Sequence, residues 1–72
     1  MPKVDLEKIK RLRLEKGLTQ KKMADYLGYE SDVSYMRLEK GARQIRADQI
    51  ALIAEVLGVP LEDLFIKGGN DQ

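Results

Sequence analysis

Seventy-two residues make one domain near the lower size at which a chain folds alone. Cysteine and histidine are both absent, which excludes a disulfide frame, a thiolate metal site, and the commonest general base and metal ligand. The net charge of +1 hides a split: residues 1–46 carry twelve Lys/Arg against seven Asp/Glu, and residues 47–72 carry one against five.

A basic front suits a polyanion, and an acidic rear suits self-association or solubility, although charged helix faces are commonly just solvated. At roughly 60 residues only about 60 % of the unfolded surface is buried, so a partner subunit is expected to add stability. The opening "MPKVDLEKIK" has no apolar signal segment, and "IALIAEVLGV" is too short and interrupted to span a bilayer. The expectation is a soluble, cytoplasmic helical domain over residues 5–66, with an N-terminal tail at 1–4 and a flexible C-terminal tail at 67–72.

Along the chain, Gly17, Gly28, Gly41 and Gly58 each follow a stretch of helical periodicity, where a left-handed residue commonly ends a helix. The first predicted helix runs from about Asp5 to Lys16, with Ile9 and Leu12 on one face. The second starts at Thr19 as N-cap and groups Met23, Ala24 and Leu27. The third starts at Ser31 as N-cap, with Asp32 in the first turn, where a carboxylate favours the helix dipole. The fourth, about Ala47 to Leu57, places Ile50, Ile53, Ala54 and Leu57 at helical spacing. The fifth is a turn or two, Pro60 to Phe65, with Leu61, Leu64 and Phe65 facing inward. Nothing alternates at period two, so no strand is predicted.

The link "GYES" between the second and third helices is a short glycine-containing turn, which is the helix-turn-helix arrangement, though any helical bundle has such corners. Within "SDVSYMRLEKG", Val33 and Met36 lie on one side of the helix, and Tyr35 and Leu38 lie nearly opposite. Arg37 and Lys40 fall with Val33 and Met36, and two cations are expensive to bury. Tyr35 and Leu38 therefore go into the core. Val33, Met36, Arg37 and Lys40 form an outward face, part cationic and part apolar.

Four pieces, "LRLEKGLTQ", "MADYLG", "RLEKG" and "IALIAEVLGVPLEDLF", occur in one order across nearly the whole chain. In that order and at nearly that spacing the sequence resembles the phage-repressor and Cro-type helix-turn-helix family, the XRE family. The resemblance implies an all-α fold: a compact five-helix, lambda-repressor-like domain whose helices two and three form the helix-turn-helix. It also implies binding to double-stranded operator DNA, usually as a two-fold homodimer, and regulation of transcription. Two departures stand out. The segment from Gly28 to Gly41 is one residue longer than the family's commonest form, which puts the extra residue in "GYES". Arg46 occupies the usual Ser/Thr N-cap position of helix four, at a cost of at most about 1 kcal/mol.

Carried over by position, Val33, Ser34, Met36 and Arg37 are the expected base contacts. Arginine donates two hydrogen bonds to guanine O6 and N7, and an aliphatic group meets the thymine methyl. The bland alternative is that Val33 and Met36 pack on a dimer partner or stand exposed. Thr19, Gln20, Ser31, Lys40, Arg43 and Gln44 are the expected phosphate and positioning contacts, with Thr19 also a plain N-cap. Lys21 and Lys22 read as solvated, and Asp32, which repels phosphate, as a helix-start residue. The family likeness further implies a partly buried ion pair between Arg13 and Glu39.

The acidic pair Glu62-Asp63 lies in the first turn of a helix, where it favours the dipole, and no catalytic residue, metal site, cofactor or small-molecule ligand is expected. Ile66 is the best single dimer-interface residue, because its segment has more apolar groups than one short helix hides. The rival reading is a helical adaptor that binds a protein through its acidic half.

Overall fold

The structure, a computed structural model, describes residues 3–66. The tail expected at 67–72 lies outside them, as do Met1 and Pro2. In chain order the elements are β1 (Lys3–Val4), α1 (Leu6–Glu15), α2 (Gln20–Leu27), α3 (Asp32–Lys40), α4 (Ala47–Leu57), a 3-10 turn (Leu61–Leu64) and β2 (Phe65–Ile66). The fold is helical with a helix-turn-helix at α2 and α3. It has four α-helices among the described residues rather than five.

Helix boundaries follow the local chemistry. The Asp5 carboxylate accepts from the Lys8 N–H at 3.1 Å, and the Thr19 hydroxyl accepts from the Lys22 N–H at 3.0 Å, so each satisfies an otherwise orphaned donor. At the other ends, Leu18, Tyr29, Ala42 and Val59 donate N–H bonds of 2.9–3.1 Å to Arg13, Ala24, Arg37 and Ala54, five residues back. With the glycine before each, these are Schellman turns. The turn after α3 has a further demand. Gly41 has φ +84, and a Cβ there would meet Leu6 Cδ1 at 3.2 Å, so the end of α3 can lie close against the start of α1.

One apolar cluster holds the domain together: Ile9 from α1, Met23 and Ala24 from α2, Tyr35 and Leu38 from α3, Ile50, Ile53, Ala54 and Leu57 from α4, and Leu64. Tyr35 and Leu38 are fully buried, and Val33 is exposed, which is the partition that the cations of α3 require.

The fifth predicted helix is corrected in two ways. It is a single 3-10 turn, closed by Asp63 N–H to Pro60 carbonyl at 3.0 Å, and Leu61 is exposed instead of facing inward. The chain then turns extended at Phe65 (φ −111, ψ 145) and pairs antiparallel with the front, Val4 opposite Phe65 and Lys3 opposite Ile66. An aromatic and a β-branched residue favour that conformation. Asp5 N–H continues the connection to the Leu64 carbonyl at 2.7 Å. Lys3 and Val4, read from sequence as tail, thus form a strand. Two residues are too few for alternation to show.

Candidate nucleic-acid interface

The interface begins with what holds α3 still. Arg13 on α1 donates through Nε to Glu39 Oε2 at 2.9 Å and through Nη2 to Oε1 at 3.1 Å, a two-point pair with both side chains buried. Its Nη1 donates to the Leu18 carbonyl at 2.8 Å, just before α2. Glu39 also accepts from the Tyr35 hydroxyl at 2.8 Å and from Gln20 Nε2 at 3.3 Å. One carboxylate therefore receives donors from α1, α2 and α3. Burial, together with the hydrogen bond to that carboxylate, holds the Tyr35 phenol well above the usual tyrosine range. Gln20, expected at phosphate, has its amide directed to Glu39 here. Glu39, Gln20 and Lys40 share the lining of one cleft with Lys10.

Held in this way, α3 turns Val33, Arg37 and Lys40 to the outside, with Met36 and Ser34 half-buried beside them. Neither Arg37 nor Lys40 has a carboxylate partner among the described residues, whereas Arg11, Lys21 and Arg46 are paired with Glu15, Asp25 and Asp48. Arg46 and Asp48 shift each other: their side-chain hydrogen bond raises the guanidinium and lowers the carboxyl. Ser31 has N-cap backbone geometry (φ −139, ψ 157), but its hydroxyl makes no capping bond. Thr19, Gln44 and Ser31 are exposed.

The expected phosphate residue Arg43 lies in the loop between α3 and α4, its Cζ 4.8 Å from the centroid of the Tyr29 ring. Tyr29 belongs to the "GYES" turn. Its hydroxyl accepts from Nε2 of buried Gln49, whose Oε1 accepts from the Arg46 N–H at 2.9 Å. Arginine has no acceptor, so Arg46 cannot cap α4 with its side chain, and Gln49 supplies the reciprocal half of that cap alone. Sequence reasoning passed over Tyr29 and Gln49. The signals were an aromatic in a polar turn and a glutamine three residues past a cap position.

Among the described residues no group of carboxylates is placed to hold a metal ion, and no helix is long and apolar enough to cross a membrane. What the geometry defines is a braced helix, carrying cations and apolar groups, preceded by a tight turn. A model of the helix-turn-helix family matches residues 9–64, and the chain belongs to that family, in its XRE-type branch. The family is one of DNA-binding regulators and not of enzymes. No curated protein and no solved structure matches the chain.

Proposed function

We propose that the protein is a cytoplasmic, sequence-specific regulator of transcription, repressor-like, that lays α3 in the major groove of a double-stranded operator as a homodimer. The observation that carries this reading is the outward face of α3, where exposed Arg37 and Lys40, free of carboxylate partners among the described residues, adjoin Val33. An arginine there suits a guanine edge, and Val33 and Met36 suit thymine methyls, with Ser34 at the margin. Thr19, Gln20, Ser31, Lys40, Arg43 and Gln44 are assigned to phosphate and positioning. Gln20 reaches phosphate through its backbone N–H at the α2 start while its amide stays on Glu39. For dimerisation, Leu61, which opens the 3-10 turn, and Ile66, two residues past its end, are exposed apolar groups in the acidic half of the chain and thus away from phosphate.

Selection of bound sequences from a random duplex pool tests the class. A palindromic motif is expected, and a pool with no enrichment overturns the reading in favour of a protein-binding adaptor. On the selected operator, Arg37→Ala should cost roughly 1–3 kcal/mol and relax choice at one base pair. Arg43→Ala should weaken specific and scrambled duplexes alike and flatten the salt dependence by about one unit. Equal losses for both variants on both duplexes would sink the role given to Arg37.

A further inference from the structure

The two segments flanking α3 are joined through one aromatic residue. Tyr29, in the turn before α3, is fixed at three points. Its N–H donates to the Ala24 carbonyl at 2.9 Å, its hydroxyl takes the Gln49 amide, and its ring lies under the Arg43 guanidinium at 4.8 Å. Gln49 in turn holds the Arg46 N–H, at the far end of the loop that carries Arg43. The ring and the loop are thereby referred to the same buried amide.

We propose that Tyr29 is a positioning residue for DNA binding: it holds the Arg43 guanidinium in place so that its edge is ready to meet backbone phosphate. The proposal rests on the assignment of Arg43 to phosphate above. A cation–ring contact engages no hydrogen-bond acceptor, so the N–H fork of Arg43 keeps its hydrogen-bonding capacity for phosphate. Arg43 is exposed and has no carboxylate partner among the described residues, so nothing competes for that fork. A flexible arginine that is already placed loses less side-chain freedom on binding, and that saving appears as affinity. A phosphate contact is blind to sequence, so the gain is equal on all duplexes. An exposed cation–ring contact corresponds to about a two- to fivefold change in binding.

The test is a double-mutant cycle on the full chain, read by fluorescence anisotropy on the selected operator and on a scrambled duplex. Assays run below the melting temperature of the least stable variant. Tyr29→Leu should weaken binding to both duplexes about two- to fivefold, and that loss should vanish in an Arg43→Ala background. Tyr29→Phe, which keeps the ring, should retain the dependence on Arg43. A purely structural role for Tyr29 would persist without Arg43, so an equal loss from Tyr29→Leu in both backgrounds overturns the proposal. A Tyr29→Leu variant that binds like the parent overturns it too. A folded parent that binds neither duplex overturns the DNA-binding reading, and this inference falls with it. The two failures are thus distinguishable.

Discussion

Arg13 and Arg11 sit two residues apart on α1 and are predicted to behave very differently. Arg13 meets buried Glu39 at two points, while Arg11 reaches Glu15 at 3.8 Å with both side chains more than 60 % exposed. Removing one partner of a buried pair strands the other without water, at a cost of roughly 3–5 kcal/mol. An exposed helix pair contributes at most about 0.5 kcal/mol. Urea denaturation should therefore show a large loss for Arg13→Ala and almost none for Arg11→Ala. Equal midpoints would mean that the Glu39 cluster does not brace the fold. Tyr35 adds a pH signature. Its phenol is held above the usual range, so above about pH 10 the unfolded chain releases this proton while the folded chain keeps it. The unfolded state then binds fewer protons, and stability falls with rising pH by up to about 1.4 kcal/mol per unit. Below that pH the group adds no slope. Tyr35→Phe should remove this alkaline loss, as chemical denaturation at pH 9 and pH 11 would reveal.

Among the elements, α2 and α3 both end at a left-handed glycine, but the two glycines differ in surroundings. Gly28 and Gly41 both have positive φ, but a Cβ at Gly28 meets open space and one at Gly41 meets Leu6. A left-handed backbone costs a residue with a Cβ roughly 1–2 kcal/mol. Gly28→Ala should show about that loss, and Gly41→Ala a larger one, because the packed Leu6 side chain must also give way. Thermal melts compare them directly, and the reverse order would contradict the packing of α1 on α3. The strong helices were readable for a related reason. Ala47–Leu57 repeats its apolar residues over three turns and ends at Gly58, so its bounds follow from local pattern alone. The segment after Pro60 has too few residues for a period. Whether it closes as an α-turn or a 3-10 turn is set by where Phe65 must go to pair with Val4.

In the whole molecule, the charge splits into a basic front and an acidic rear, and the proposed function gives the first to DNA and the second to a partner copy. A two-fold dimer should require two half-sites about one helical turn, roughly 34–36 Å, apart. Ile66→Glu tests the surface proposed to join two copies. Ile66 is 48 % exposed and stands opposite Lys3, so a carboxylate is tolerated within the strand pair and leaves the fold intact. Sedimentation at micromolar concentration should show a dimer for the parent and monomer for the variant. A parent that is monomeric with and without DNA would remove the dimer from the proposal.

Local sequence was enough for the four α-helices, their glycine ends, the single core and the division of α3 into an inner and an outer face. All of these depend on spacing within a turn or two and on the cost of burying cations. Tertiary structure alone decided that Gln20 joins the Glu39 cluster, that the two ends of the domain pair as strands, and that Tyr29 sits between Gln49 and Arg43. Gln20 is nineteen residues from Glu39, and Tyr29 is twenty from Gln49. No local periodicity relates groups that far apart. They meet only when the helices have packed and brought those partly buried polar atoms within hydrogen-bonding reach of each other.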